Sequence, residues 1–377
     1  MDRPITRHID FLDPIRGIAI LLVFLYHSLG VAFGSDQLPC GKWFSTFAVP
    51  RSFLPLIPVT FGWCGVPIFF VVSGFCIHLS FSRKPQWPHF FSRRLFRIYP
   101  PYLITLLFFA FLYPITRLHF PSQADTAQLV SHLVLLFNTS GKWVFGINPS
   151  WWSIAVEVQL YLLYPVVIFL TTRMGWRKAL IGIAAIEIGQ RLVDDSLLTS
   201  TGVGFPRWAT DSPFYFWFSW TLGACVAELH IRGKTFDVSR ISLCMVGTLA
   251  VVCRFVRPLF SMSFPLFALL TALIVIRLLR NPDEKLPLPE VLRSHLSKVG
   301  LCSFSLYLIH QPLLLTVPVL LGKLTSGAYI HPLGMFALCM GSWFVIVPIA
   351  NAFYKLFELP SIAAGKRFYT SNALIER

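Results

Sequence analysis

Charged residues are scarce in this sequence. Asp, Glu, Lys and Arg make up only 13% of its 377 residues, whereas soluble domains carry about 25%. This shortage argues against a water-soluble globular protein, and the 55% share of hydrophobic residues excludes an intrinsically disordered chain. The apolar runs are long and unbroken, which excludes a membrane β-barrel, because barrel strands alternate apolar and polar residues.

Several further patterns are missing. The eight Cys show no CxxC or other metal-ligand spacing, so we expect no metal site. The net charge of +15 is spread between apolar runs and forms no basic stripe on a separate domain, so nucleic acid is not an expected partner. Internal repeats and soluble segments are absent, so residues 1–377 are expected to form one transmembrane domain with no appended soluble domain. Cys40 and Cys64 are either one extracytoplasmic disulfide or two free thiols.

The apolar runs predict an all-α polytopic membrane bundle of about ten helices. A helix of about 20 apolar residues crosses a bilayer, and the fifth predicted helix is the shortest. The segment 129–137 is too short to span and is predicted to be re-entrant or interfacial. The predicted spans lie near residues 15–33, 61–81, 99–116, 150–172, 179–191, 213–230, 240–257, 259–279, 298–321 and 333–357.

The distribution of basic residues predicts the orientation of these helices. Most of the 32 Lys and Arg fall in the segments that are cytoplasmic if the N-terminus is inside. Both termini are therefore predicted to be cytoplasmic. The first helix has an alternative interpretation as a cleaved signal peptide, because Ala32-Phe33-Gly34 resembles a small-x-small cleavage site.

The first helix carries ionisable residues at positions where they are costly. Arg16 opens the apolar run, and His27 follows eleven residues later, about 16 Å along the axis and on the same face. Asp13 lies next to Arg16 on that face. A charge inside the bilayer costs about 2.5–3.5 kcal/mol on insertion scales. A mid-membrane imidazole facing a cavity is a candidate general base, and the alternative is a histidine bonded to a neighbouring helix.

Other buried ionisable residues lie in later helices. Glu157 is predicted about 10 Å from the outer end of the fourth helix, where it needs a cation or a donor. It is a candidate to orient His27 or to accept a substrate hydroxyl, or else a member of a structural ion pair. His310 is a second mid-membrane imidazole, with Tyr307 on the same face. Glu187 and Glu228 lie nearer helix ends and are interpreted as structural.

Three arginines follow the second predicted helix on the inner side. Arg93, Arg94 and Arg97 lie in the predicted loop before the third helix, and the last two share one helical face. They are candidates for binding a phosphorylated cytosolic ligand such as a nucleotide or coenzyme A. The alternative is a topology signal or contact with lipid headgroups.

Six short segments stand out between residues 10 and 361. They are Phe11-Leu-Asp-Pro-Ile-Arg16 through His27, Gly65-Val-Pro-Ile-Phe-Phe-Val-Val-Ser73-Gly74-Phe75, Arg93-Arg94-x-x-Arg97-Ile-x-Pro, Trp152-Ser153-x-x-x-Glu157-x-Gln159-x-Tyr161, Ser305-Leu-Tyr307-Leu-Ile-His310-x-Pro312, and Phe357-Glu358-x-Pro360. Taken together and in this order, they resemble motifs of the acyltransferase-3 family of integral membrane acyltransferases.

The resemblance implies a bacterial inner-membrane O-acyltransferase, commonly an O-acetyltransferase. It would move an acyl group from cytosolic acyl-CoA, expected to be acetyl-CoA, to a hydroxyl of an extracytoplasmic glycan or glycoside. His27 would be the general base, assisted by Glu157 or Asp13, and Arg16 would steady the thioester or its oxyanion. Arg93, Arg94 and Arg97 would bind the donor. The expected substrate-binding residues are Ser73, Trp152, Tyr307 and His310.

Two other classes of protein share some of these features. A secondary transporter also carries buried His and Glu in a helical bundle, but it is expected to contain inverted repeats, and none is visible here. A non-catalytic membrane scaffold would not need these buried ionisable residues. The sequence leaves open the acceptor, the acyl chain length, the oligomeric state, any protein partner, and whether transfer is direct or passes through a covalent intermediate.

Overall fold

The computed structural model describes residues 9–34, 51–234 and 236–375. Within those ranges all regular secondary structure is helical. The helices are α1 (Leu12–Phe33), α2 (Gly65–Arg83), α3 (Trp87–Leu107), α4 (Gln123–Leu133), α5 (Trp152–Thr201), α6 (Arg207–Thr210), α7 (Trp217–Ile231), α8 (Arg240–Phe255), α9 (Ser263–Arg280), α10 (Glu290–Leu301), α11 (Ser303–Leu324), α12 (Pro332–Gly341), α13 (Trp343–Phe353) and α14 (Leu359–Ile375). Shorter 3₁₀ segments cover Arg51–Cys64, Phe137–Thr139, Pro213–Phe216 and Arg257–Met262, and π-helical turns cover Phe108–Leu112 and Tyr354–Glu358.

Seven helical segments among the described residues are long and apolar enough to cross a membrane. Their mean hydropathy lies between 1.6 and 2.3 over an 18-residue window. The prediction of a polytopic α-helical membrane protein is therefore confirmed. The segments are Leu12–Phe33, Leu56–Arg83, Trp87–Leu112, Trp152–Thr201, Pro258–Arg280, Ser303–Leu324 and Pro332–Phe368.

The difference from the predicted count of ten has two sources. The predicted fourth and fifth helices lie in the single segment α5, whose helical geometry is interrupted at Gly175, with φ 79° and ψ 157°. The predicted helices near 213–230 and 240–257 correspond to α7 and α8, which have only 15 and 16 residues. The count of ten and the cytoplasmic position of both termini stay predictions.

The start of the third helix was predicted wrongly. The predicted span begins near residue 99, but α3 starts at Trp87, and Pro100 and Pro101 lie inside it. Gln86 has an extended backbone, and Pro88 stands in the first turn, where a missing N–H costs nothing. As a result Arg93, Arg94 and Arg97 lie on a helix and not in a loop, which gives each side chain a fixed direction.

The predicted interfacial segment 129–137 is a short helix followed by a turn. The hydroxyls of Tyr99 and Tyr102 donate to the carbonyls of Leu133 and His132, at 2.9 Å each, and attach its end to α3. The ring of His132 stacks on Phe137 at 4.1 Å between centroids. Burial lowers the pKa of His132 to about 4, so it packs there as a neutral aromatic ring.

Small residues allow two helix pairs to pack closely. A Cβ atom on Gly74 of α2 would lie 2.1 Å from the carbonyl oxygen of Trp220, and one on Gly223 of α7 would lie 1.9 Å from that of Val71. Between α1 and α10, a Cβ atom on Gly17 would lie 2.0 Å from the carbonyl oxygen of Leu296. These crossings fix α1 and α2 relative to their neighbours, which matters because both helices carry site residues.

Glu187 and Glu228 each pair with a basic side chain, which fits their structural interpretation. Glu187 is fully buried and accepts from Arg191 Nε at 3.1 Å and from the Ser219 hydroxyl at 2.6 Å. Glu228 bonds the imidazole of His78 at 2.9 Å and pairs with Arg232. Cys64 is buried, whereas Cys40 lies outside the described residues, so their pairing stays open.

Candidate active site

A cavity lies between α1, α2, α3, α5 and α11, with about 800 Å³ of empty space, its open mouth included. Its polar wall contains six of the residues singled out from the sequence, together with hydroxyl and thiol groups. Asp13, His27, Arg93, Trp152 and His310 do not line it. The lining residues that bear polar or charged groups are Arg16, Ser73, Cys76, Arg94, Arg97, Ser153, Glu157, Tyr161, Ser303 and Tyr307.

The carboxylate of Glu157 is held by hydroxyl groups. Its Oε1 atom accepts hydrogen bonds from Ser73 Oγ and from the Tyr161 hydroxyl, both at 2.5 Å. The indole Nε1 of Trp220 donates to Ser73 Oγ at 3.3 Å. None of the described hydrogen bonds joins Glu157 to His27, so the geometry gives Glu157 no part in orienting that imidazole.

The guanidinium of Arg16 is also engaged. Its Nη1 atom donates to Asp13 at 3.0 Å, and Nη2 donates to the sulfur of Cys76 at 3.0 Å. Asp13 is therefore the partner of Arg16 and not of His27. His27 lies eleven residues further along α1, about 16 Å along the helix axis.

The three arginines of α3 differ in their surroundings. Arg94 and Arg97 line the cavity, whereas Arg93 is exposed and points elsewhere. The Nε atom of Arg94 is buried and has no hydrogen-bond partner in the part of the chain that the structure describes. An unsatisfied buried guanidinium is costly, and an anionic ligand would satisfy it. The cavity therefore contains a cationic donor that an anionic group would satisfy.

His27 and His310 form a pair that spacing alone did not reveal. His27 Nδ1 lies 2.8 Å from His310 Nε2, and His310 Nδ1 lies 2.9 Å from the carbonyl oxygen of Tyr307. A carbonyl only accepts, so in the neutral pair Nδ1 of His310 carries hydrogen and its Nε2 accepts. His27 must then donate from Nδ1, which leaves the lone pair on its Nε2. That atom has no hydrogen-bond partner among the described residues.

Tyr307 connects the cavity with the histidine pair. Its ring lines the cavity and lies 5.5 Å from the ring of His310 between centroids. Its hydroxyl donates to the carbonyl of Ser150 at 2.8 Å and lies 2.7 Å from Ser153 Oγ. Trp152, by contrast, packs on Phe216 at 5.5 Å.

No role in the site was predicted from the sequence for Ser153, Tyr161 or Glu358, although all three occur in the quoted motifs. Ser153 and Tyr161 lie four residues before and after Glu157, so helical spacing places them on its face. Glu358 is only 2% exposed and accepts from the Ser305 hydroxyl at 2.5 Å. It ends the π-helical turn Tyr354–Glu358, and such turns are frequent at functional sites. No sequence pattern reveals that turn.

Comparison with known proteins identifies the family. The model of a family described as an acyltransferase domain, acyltransferase-3, matches residues 9–352. The acyltransferase MdmB of Streptomyces mycarofaciens is 27% identical over 315 residues, which cover 79% of this chain and 77% of MdmB. The peptidoglycan O-acetyltransferase OatA of Listeria monocytogenes is 23% identical over 347 residues, or 83% of this chain. Those residues are 51% of OatA, so the chain spans about half of that relative.

No solved structure matches this chain. The family match covers nearly all of the described helices, including every residue of the cavity and the histidine pair. Together with seven apolar helices, it defines an integral membrane protein that transfers acyl groups. The chain belongs to the acyltransferase-3 family.

Proposed function

We propose that this protein is a membrane O-acyltransferase that moves an acetyl group from cytosolic acetyl-CoA to a hydroxyl of an extracytoplasmic glycan or glycoside. Its proposed location is the bacterial cytoplasmic membrane. The observation that carries the proposal is the chain of hydrogen bonds from the Tyr307 carbonyl through His310 to His27. These hydrogen bonds leave the lone pair of His27 on Nε2. A general base needs such a lone pair to accept a proton.

The reaction follows from that protonation pattern. The acceptor hydroxyl oxygen attacks the thioester carbonyl carbon while its proton passes to His27 Nε2. The carbon–sulfur bond then breaks, and the leaving thiolate of coenzyme A takes that proton. His310 holds the imidazole of His27 in the reactive tautomer and stabilises the imidazolium that forms, because its Nε2 accepts the Nδ1 hydrogen bond throughout.

The cavity suits the donor in charge and in length. Arg16, Arg94 and Arg97 offer cations to the phosphates of coenzyme A, and Arg94 supplies a buried donor that lacks a partner. Along α2 the lining extends from Ile77 to Val66, eleven residues or about 16 Å. A pantetheine arm extended along this path would bring its thioester toward the histidine pair.

The acceptor is proposed by analogy. OatA is named for O-acetylation of peptidoglycan, a glycan polymer. For this chain we propose the wider class of extracytoplasmic glycans and glycosides. The low-dielectric interior would keep water from the thioester, so that the acceptor hydroxyl competes with little hydrolysis.

Replacement of His27 tests the base. In His27→Asn the amide keeps a donor toward His310 but offers no basic nitrogen, so transfer of radiolabel from acetyl-CoA to glycan should fall by about 10²–10⁴-fold. His119→Asn is the matched control, because that histidine is exposed and lies outside the cavity. Retention of more than roughly a tenth of wild-type activity would remove His27 from this role.

His310 tests the tautomer argument separately. In His310→Gln the side-chain carbonyl can still accept from His27, whereas His310→Leu leaves the Nδ1 hydrogen of His27 without a partner. The Gln variant should therefore be clearly more active than the Leu variant. Equal loss in both would contradict the proposed hydrogen-bond chain. Solute uptake that needs no acetyl-CoA would instead favour a transporter.

A further inference from the structure

The placement of Arg16 leaves the reaction without an obvious oxyanion donor. When the acceptor attacks, the thioester carbonyl oxygen gains a negative charge beside His27. Arg16 is about 16 Å away along α1 and is engaged with Asp13 and Cys76. Groups at the end of the cavity nearer the histidine pair are therefore better placed than Arg16 to stabilise charge that develops next to His27.

Two buried hydroxyls lie at that end. Ser153 and Tyr307 are each 6% exposed, and both line the cavity. The ring of Tyr307 is 5.5 Å from that of His310, which is 5.0 Å from that of His27. The tyrosine that supplies the carbonyl for His310 is therefore also a lining residue of the cavity, and its hydroxyl contacts a second lining residue, Ser153.

The hydrogen positions of this hydroxyl pair can be worked out. The Tyr307 hydroxyl donates to the carbonyl of Ser150, because that carbonyl can only accept. Its oxygen is then the acceptor in the 2.7 Å contact, and Ser153 Oγ is the donor. A serine hydroxyl rotates about one bond. It can turn its hydrogen from Tyr307 to a substrate oxygen and leave no donor unsatisfied.

We propose that the hydroxyls of Ser153 and Tyr307 bind the acyl carbonyl oxygen and stabilise the oxyanion of the tetrahedral intermediate. This assignment rests on the proposed acyltransferase function and deepens it. As the new carbon–oxygen bond forms, the π electrons of the carbonyl move to its oxygen. Ser153 donates to that oxygen, and Tyr307 turns its hydrogen from the Ser150 carbonyl to it. When the carbon–sulfur bond breaks, the hydroxyls of Ser153 and Tyr307 return their hydrogen bonds to Tyr307 and to the Ser150 carbonyl.

Alternative donors nearby are less suitable. Ser73 and Tyr161 both donate to Glu157, and that carboxylate would repel an oxyanion. Arg94 and Arg97 belong to α3 at the side proposed for the phosphates. The Ser153–Tyr307 pair alone combines donor hydrogens, burial and direct connection to the histidine pair among the described cavity residues.

The test compares variants that each remove one hydroxyl. Ser153→Ala and Tyr307→Phe should lower kcat by about 10²–10³-fold, the usual effect of losing an oxyanion donor. KM for acetyl-CoA should stay within threefold. Ser131→Ala and Tyr102→Phe are matched controls, because their buried hydroxyls donate to backbone carbonyls outside the cavity. Both controls should keep wild-type kcat.

The possible outcomes separate this assignment from the proposed function. If the wild-type protein transfers no acetyl group from acetyl-CoA, the proposed function itself is wrong. If it does, and both variants keep kcat within threefold or change only KM, the oxyanion assignment is overturned. Detection of acetylated Ser153 by mass spectrometry after rapid quenching would also overturn it, since Ser153 would then be a nucleophile. Arg16→Gln is expected to raise KM for acetyl-CoA; a selective loss of kcat there would return the oxyanion to Arg16.

Discussion

The crossing of α2 and α7 offers a stability test whose size follows from the coordinates. In Gly74→Ala the new Cβ would lie 2.1 Å from the carbonyl oxygen of Trp220. An ordinary contact needs about 3.4 Å, so the helices must separate by about 1.3 Å. The carbonyl oxygen belongs to a helix backbone and cannot rotate away as a side chain can. Overpacking of this kind typically lowers the free energy of unfolding by about 1–3 kcal/mol. The separation would also break the 3.3 Å hydrogen bond from Trp220 to Ser73.

A control of the same chemistry exists in α5. Gly182 is exposed, and a Cβ there would meet nothing within 4 Å. Gly182→Ala should be neutral or stabilise the protein by up to about 1 kcal/mol, because alanine loses less backbone entropy in a helix. The two variants should therefore differ by about 1–4 kcal/mol in free energy of unfolding.

Thermal or denaturant unfolding of detergent-purified protein, followed by tryptophan fluorescence, measures this difference. Acyl transfer should also fall in Gly74→Ala, because Ser73 is the next residue and lines the cavity. If Gly74→Ala unfolds at or above the wild-type midpoint, the close crossing of α2 and α7 is wrong. The cavity wall that depends on that crossing would then need a different description.

Three further predictions concern the buried ion pair, the donor and the sidedness of the reaction. Glu187→Ala should cost about 3–5 kcal/mol in unfolding experiments, because it leaves Arg191 buried without its carboxylate; Glu187→Leu combined with Arg191→Met should recover most of that loss. Arg94→Gln should weaken acetyl-CoA binding about 10–100-fold, measured by calorimetry or ligand-induced thermal shift. Arg93→Gln should change it less than twofold, because Arg93 is exposed and does not line the cavity. Equal effects would show that the donor does not distinguish the two arginines in this way. In sealed vesicles of known orientation, acetyl-CoA should act only from the face predicted to be cytoplasmic and an impermeant glycan acceptor only from the other; activity with both on one side would refute transfer across the membrane.

Composition and spacing determined the class of this protein and most of its candidate residues. Low charge and long apolar runs predict a helical membrane protein, because the cost of inserting a residue depends on its own side chain and its neighbours in sequence. The same cost makes Arg16, Glu157 and His310 conspicuous in any apolar helix. The order of short motifs from residue 10 to residue 361 indicated the family, which the comparison confirms.

Tertiary structure decided which of these residues meet. His27 and His310 are 283 positions apart, and Ser73 and Glu157 are 84 apart, so no helical period relates them. Their contacts depend on how whole helices cross, which is set by steric details such as the absence of a Cβ at Gly74.

The same limit explains the errors of the sequence-based reading. The start of α3 at Trp87 turned a predicted loop into a helix, so Arg94 faces the cavity while Arg93 does not. Glu358 ends a π-helical turn and is buried although the residues on either side of it are exposed, a pattern that no regular helical period indicates. Sequence periodicity assumes regular helices and known ends. Irregular turns and close helix crossings bring the residues of a site together, and neither can be predicted from periodicity.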